Sequence, residues 1–431
     1  MNYFSTNKTA PVVGFKEATI QGQAPDKGLY FPEQISVLPG SFFKEMGTLP
    51  KEEIAYRVIR PYVGDAIPKL ELQRIAEETV NFDFPLVPVH QDVSALELFH
   101  GPTLAFKDVG ARFMSRCLGY FSKERTKKVY VLVATSGDTG GAVANGFYRV
   151  DGVEVILLYP SGKVSTVQEK QLTTMGQNIH ALEVDGSFDD CQKLVKQAFS
   201  DTELNKKLFL TSANSINVAR WLPQQFYYFF ALQQWKHSEA PVISVPSGNF
   251  GNICAGLVAY RSGLPIKHFI AACNANNVVP EYFRQGEYHP QPPKTTLSNA
   301  MDVGDPSNFV RMLELFDHQY GALKEFISSY SISDEETAST IINVFKEYNY
   351  LPDPHGAVAY AALKKYITEY PANKGIFLET AHPIKFYDVV EPLIHSTIPM
   401  PDSVKDIMDR KKISTRIENN YEALRAYLSN S

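Results

Sequence analysis

Apolar positions change their spacing along the chain, and three textures follow one another. Up to residue 95, helical periodicity marks Glu52–Tyr62 and Lys69–Val80, set among turn-rich pieces such as Thr19–Gly28 and the short apolar run Leu29–Pro32. Continuous apolar runs then take over at Lys128–Ala134, Val153–Leu158, Asn178–Val184 and Leu208–Leu210. Helical segments alternate with them at Val109–Phe121, Ala142–Tyr148, Ser165–Met175 and Phe188–Phe199. A second series begins with an aromatic-rich helix, Ile216–Trp235, interrupted near Pro223. It continues through strands at Pro241–Val245, Lys267–Ala272 and Gly375–Glu379, and helices at Ile253–Tyr260, Ser307–Leu315, Asp334–Glu347 and His355–Tyr370. Unbroken apolar strands separated by helices predict βαβ units and parallel sheets covered on both faces. The expectation is an α/β protein: a small α+β segment over 1–95, a smaller parallel-sheet domain over 96–212 and a larger one over 213–431, ending in a polar helical tail from Pro401. The Pro-rich Tyr288–Pro293 is expected as a surface loop near the mouth of the site.

Composition narrows the field without pointing anywhere. At 431 residues, 44% hydrophobic and 21% charged, the chain suits a soluble globular protein of about two or three domains. A net charge of −5 with no basic block argues against a nucleic-acid partner. The longest apolar runs are strand length, which argues against a membrane span. The start has no basic region leading into an apolar run, so no secretory signal is read. Cys117, Cys191, Cys254 and Cys273 lack CxxC spacing, so reduced thiols in a cytoplasmic setting are expected, with no metal site and no disulfide frame.

The chemistry is concentrated in a few turns. Lys107 sits where a helix begins, between Phe106 and Asp108 and just after Gly101–Pro102. The positive end of a helix and an apolar neighbour both disfavour an ammonium, so its pKa should be lowered. Such an amine can form a Schiff base; the plain alternative is a surface lysine on an amphipathic helix. Ser247–Asn252 follows a buried strand and opens a helix, so backbone N–H groups and the helix dipole converge on one anion. Its glycines, Gly248 and Gly251, lack GxGxxG spacing, and no Lys–Ser/Thr pair follows as in a P-loop. That suits a phosphate held as a handle and not transferred, unless the turn binds nothing. Thr135–Gly140 is a second strand-to-helix turn, able to take a substrate carboxylate, though Asp138 could simply cap the helix. Asn214 and Ser215 open a further helix with Arg220 about two turns on. Thr380 lies at the carboxyl end of the last strand, where open α/β sheets keep ligand groups. His382 reads as a loop histidine. A Schiff-base lysine, a lysine-free phosphate cradle and a carboxylate loop together describe pyridoxal 5'-phosphate (PLP) and an amino-acid substrate.

These blocks resemble the threonine synthase family of fold-type II PLP enzymes, in its longer branch with an added N-terminal domain. FHGPTLAFKDVG at 99–110 is similar to the family's lysine motif almost residue for residue. SGDTG at 136–140, PSGNFGN at 246–252 and TAHPIKF at 380–386 follow in the family's order, and YFST at 3–6 with QGQAPDKGLY at 21–30 resembles its start. The resemblance implies conversion of O-phospho-L-homoserine and water to L-threonine and phosphate, by a monomer or homodimer. It implies that Lys107 holds PLP and moves protons, and that Gly248, Asn249, Phe250, Gly251 and Asn252 bind the cofactor phosphate. Thr380 would face the pyridine nitrogen and Asp138 the phenolic oxygen, where many relatives have Asn. Thr135, Ser136 and Thr139 match positions that hold the substrate's carboxylate or phosphate, and Asn214, Ser215 and Arg220 match the substrate-phosphate block. Two other readings share part of this pattern: a PLP phospholyase or dehydratase giving α-ketobutyrate, and a non-catalytic protein that binds a phosphorylated metabolite.

Overall fold

The computed structural model describes residues 1–123 and 127–430, and over them the strands form three sheets. At the N-terminus β1 (Asn2–Ser5), β2 (Val13–Gly14) and β3 (Tyr30–Pro32) pair antiparallel in the order β2-β1-β3. The two helices expected beside them are Lys51–Val63 and Lys69–Thr79. Ile54, Val58, Ile59 and Tyr62 on the first, and Leu72, Ile75 and Ala76 on the second, are buried. Burying a side chain the size of Leu, Ile or Val is worth about 1.5–3 kcal/mol, which fixes these faces inward. The second helix also touches the helix Lys107–Ser122: Arg112 donates to the Glu78 carbonyl at 2.7 Å, and Arg116 pairs with the Glu78 carboxylate at 3.0 Å. The N-terminal segment therefore braces the helix that begins at Lys107.

The remaining strands are β4 (Leu86–His90), β5 (Val93–Glu97), β6 (Val129–Ala134), β7 (Val153–Pro160), β8 (Ile179–Val184), β9 (Phe209–Thr211), β10 (Val242–Pro246), β11 (His268–Cys273), β12 (Ile327–Ser331), β13 (Gly375–Glu379) and β14 (Thr415–Ile417). The larger sheet runs β12-β11-β10-β13-β5-β4, parallel except for the β4–β5 pair. The smaller runs β14-β8-β7-β6-β9 and is parallel throughout. Every residue of β6, β10, β11 and β13 is buried, as the unbroken apolar runs require.

The sheets do not follow the sequence divisions in two places. A boundary at 95 cuts through β5, which pairs with β13 from Val93↔Gly375 to Glu97↔Glu379 and so belongs with the larger sheet. The polar tail is not helical throughout: β14 lies within 213–431 yet adds to β8 of the smaller sheet, Thr415↔Leu182 to Ile417↔Val184. Three residues with one buried side chain leave no apolar run to read, and tertiary pairing decides the structure there. The aromatic helix after 216 does break near Pro223, into Val218–Trp221, a 3-10 turn at Leu222–Gln225 and Phe226–Gln234. No helix among the described residues is long and apolar enough to cross a membrane.

Candidate active site

The site residues gather at the carboxyl ends of parallel strands, the place open α/β sheets present to ligands. Because Glu97 of β5 lies beside Glu379 of β13, the chains leaving these strands run together. Leu98 N–H donates to the Glu379 carbonyl, and Phe106 N–H to that of Thr380, both at 2.9 Å. His382 N–H donates to the Leu104 carbonyl at 3.1 Å, and Ala105 pairs with Ala381 in an antiparallel bridge. Lys107 and Thr380, 273 positions apart in sequence, are thereby held on one backbone ladder. Thr380 is buried and follows a fully buried strand.

Lys107 opens its helix, and its start is tied down by Asp108. That buried carboxylate accepts from Thr103 N–H at 2.9 Å and from the Thr103 hydroxyl at 2.5 Å. The Tyr227 hydroxyl donates to the Phe106 carbonyl. The Lys107 side chain is 18% exposed, and its Nζ stands 3.9 Å from Asp138 Oδ2. Burial lowers its pKa below the usual lysine value; Asp138 pulls upward, while Lys385 and Arg220 push further down. The lowered pKa expected from its position is present, with desolvation as the main cause.

Asp138 begins the helix Asp138–Phe147 but does not cap it. Thr135 holds the turn instead, its hydroxyl oxygen accepting from Gly137 N–H at 3.0 Å and Gly140 N–H at 2.8 Å. The Asp138 carboxylate is left for the site: Lys385 Nζ lies 2.8 Å from Oδ1, and Gln168 Nε2 donates to the same oxygen at 3.0 Å. Burial opposes its ionisation, yet the Lys385 and Lys107 ammoniums hold it well below the usual carboxylate range. Lys385 is fully buried and also donates to the Thr103 carbonyl at 2.8 Å. Around the same turn Thr135 is buried, while Ser136 and Thr139 are half-buried.

The glycine turn has the form its sequence suggests. Phe250 takes the left-handed conformation at φ +62°, and the helix Gly251–Arg261 starts immediately after it. First-turn N–H groups have no partner within a helix. Asn252 adds a side chain: its Oδ1 accepts from the Tyr228 hydroxyl at 2.9 Å, and its buried Nδ2 has no partner. A Cβ on Gly251 would meet Asn308 Nδ2 and Ser215 Cβ at 3.5 Å, so both residues stand beside the helix start. Asn249 Nδ2 donates to Ser215 Oγ at 2.7 Å, and Asn308 Nδ2 to the same oxygen at 3.2 Å. Open donors around a glycine turn fit a phosphate group. Tyr288, from the Pro-rich loop, stacks on Phe309 at 4.9 Å, and Phe309 packs on Phe250 at 6.0 Å.

Arg220 is not the surface residue that an arginine on a helix usually is. It is buried at 2% exposure against the Lys107 helix, where a Cβ on Gly110 would come within 3.1 Å of its Nε. Its Nη1 donates to the Ala213 carbonyl, its Nε has no partner, and burial draws its pKa down to about 10. Gln168, Asn308 and Arg311 were not found from sequence. Gln168 is the capping-box partner of Ser165 at its helix start, and Asn308 and Arg311 lie on a helical stretch with no motif. Lys385 lay inside a motif whose individual roles stayed open.

Two parallel α/β sheets with a lysine, a carboxylate turn and a glycine cradle at their strand ends define a fold-type II PLP enzyme, and residues 88–378 match the pyridoxal-phosphate dependent enzyme family. Residues 2–80 match the threonine synthase N terminus and residues 356–428 the threonine synthase C-terminal region. The chain belongs to the threonine synthase family. It is 43% identical to the threonine synthase of Escherichia coli over 420 residues, 97% of each chain. It is 42% identical to that of Haemophilus influenzae over 433 aligned positions, the full length of both. The PLP-bound threonine synthase of Brucella melitensis superposes with a TM-score of 0.93 at 35% identity, covering 100% of this chain and 99% of that one.

Proposed function

We propose that the chain converts O-phospho-L-homoserine and water to L-threonine and phosphate, with Lys107 as the catalytic amine. The observation that carries this reading is the junction of Lys107 with Thr380 through the Phe106–Thr380 hydrogen bond, with Asp138 3.9 Å from the amine. The cofactor, when bound, supplies an electron sink for carbanions on the substrate. The protein's part is to hold and to move protons. Lys107 Nζ would carry the cofactor and, once released, would take and return protons at the substrate's α, β and γ carbons, a task that its lowered pKa favours. Thr380 would offer a neutral hydroxyl to the ring nitrogen, and Asp138, paired with Lys385, would face the phenolic oxygen.

Gly248, Asn249, Phe250, Gly251 and Asn252 hold the cofactor phosphate. Ser136 and Thr139, half-buried on the turn shaped by Thr135, take the substrate carboxylate. Asn214, Ser215 and Arg220 take the substrate phosphate, and the buried Arg220 guanidinium, whose Nε has no partner, supports that role. The enzyme acts as a monomer or homodimer in the cytoplasm, a setting that the four buried, unpaired cysteines favour. Incubating the purified holoenzyme with O-phospho-L-homoserine and resolving the products tests the reading. Threonine and phosphate are expected; α-ketobutyrate with ammonia would make the chain a phospholyase instead.

A further inference from the structure

We propose that Arg311 supplies the counter-charge for the cofactor phosphate from behind the 247–252 turn. The proposal rests on the assignment of that turn to the phosphate.

Arg311 lies in the helix Phe309–Leu315 and is fully buried. Its guanidinium covers the Trp221 ring at 4.2 Å. It donates to Asn308 Oδ1 at 2.6 Å, to the carbonyls of Ser215 at 3.3 Å and Ile216 at 2.6 Å, and to that of Tyr30 at 2.9 Å. Every one of these acceptors is uncharged, and Nε has no partner. Burial draws its pKa down to about 9, opposed by the Cys254 thiol and the Tyr3 phenol and by no carboxylate. A buried cation without a counter-ion carries an uncompensated desolvation penalty, and an anion bound nearby offsets it.

Two of its acceptors belong to the residues that frame the turn. Ser215 and Asn308 stand over Gly251, and Ser215 Oγ receives both Asn249 and Asn308. The guanidinium is therefore one residue layer behind the cradle, itself fully buried beside the half-buried Ser215 and Ile216. The cradle itself contains no lysine or arginine. Charge from the second layer stabilises a phosphate dianion without gripping its oxygens, which suits a phosphate that stays attached to the cofactor throughout.

A purely structural cross-link, tying Tyr30 to the 215–216 loop, is the competing role, and the two separate by ligand. The full chain, stripped of cofactor, is titrated with PLP and with pyridoxal, which lacks the phosphate. Arg311→Met is expected to weaken PLP by about tenfold or more while pyridoxal changes by less than about threefold. Arg311→Lys keeps the charge and loses the fork, so its ratio of PLP to pyridoxal affinity should stay within about threefold of the parent. Equal losses for both ligands in Arg311→Met would overturn the proposal. If that variant does not fold, Arg311→Lys decides: a ratio that collapses toward unity overturns it equally. Asn252→Ala reports on the turn separately, since an unchanged ratio there would remove the phosphate from the 247–252 turn whatever Arg311 does.

Discussion

Lys385 and Asp138 form a buried ion pair at 2.8 Å, and Lys107 stands 3.9 Å from the other oxygen of the same carboxylate. The line Lys107–Asp138–Lys385 joins one sheet's turn to the other sheet's last strand end. In the role proposed for Asp138 beside the cofactor, Lys385 would offset the charge of the carboxylate. Burial is the main cause of the lowered Lys107 pKa, and Lys385 adds to it against the upward pull of Asp138.

Breaking this pair from one side takes the nearest cation from a buried carboxylate. Lys385→Met is expected to lose about 3 kcal/mol in urea unfolding of the cofactor-free protein, because Asp138 keeps only Lys107 at 3.9 Å and the Gln168 amide at 3.0 Å. Adding Asp138→Asn should recover most of that loss, the mark of direct coupling. A double variant no more stable than Lys385→Met would show that Lys385 acts through the Thr103 carbonyl and not through Asp138.

Much of this was legible before any coordinates. Continuous apolar runs locate β6, β7, β8, β10, β11 and β13 because strands buried on both faces cannot hide their composition. The short and polar β14 and the edge strand β12 carry no such signal. Lys107 and the glycine turn are readable because each breaks a local rule, an ammonium at a helix start and glycines after a buried strand. Gln168, Asn308 and Arg311 obey the local rules of their helices and enter the site through contacts across 30 positions or more. Arg220 shows the reverse failure: its helix is read correctly, but its burial follows from packing on Gly110, which periodicity in one segment cannot report.

The two glycines of the turn should respond differently to alanine. A Cβ on Gly248 would lie 2.6 Å from Met301 Cα, a backbone atom that cannot swing aside, whereas a Cβ on Gly251 meets nothing closer than 3.5 Å. Gly248→Ala is expected to cost about 1–3 kcal/mol in thermal or urea unfolding of the cofactor-free chain. Gly251→Ala should leave that stability nearly unchanged and instead weaken PLP, because the methyl group enters the cradle. Loss of stability without loss of PLP affinity in Gly251→Ala would place the phosphate elsewhere.

His382 should leave a signature in acid. Burial, with His100 and Lys385 nearby, lowers its pKa to about 4, so the folded protein keeps it neutral. Between pH 6.5 and 4 the unfolded chain takes up a proton that the native state refuses, and stability falls as pH falls through that window. His382→Asn keeps an acceptor for the Ile384 N–H that Nδ1 now receives at 3.1 Å. The variant should flatten the decline by about 2 kcal/mol, allowing for partial exposure. His268, also lowered to about 4 by burial, is present in both proteins and cancels from the difference. Identical pH profiles would mean that His382 ionises in the native state.

Arg220 offers the clearest separation of stability from function. Its guanidinium is buried with Nε unpartnered and donates to the Ala213 carbonyl. Replacing a buried guanidinium that forms no ion pair among the described residues with an apolar side chain of similar length removes a desolvation penalty that Asp108 offsets only in part, so Arg220→Met should stabilise the substrate-free enzyme by about 1 kcal/mol. If the guanidinium waits for the substrate phosphate, the same variant should raise KM for O-phospho-L-homoserine by about tenfold or more at unchanged PLP content, since binding loses a charge-assisted contact. Inorganic phosphate should raise the Tm of the parent holoenzyme more than that of the variant. A gain in stability with a loss in substrate affinity is the pattern of a binding group held at the expense of the fold. A variant less stable than the parent, with unchanged KM, would make Arg220 a strut between Ala213 and the Lys107 helix.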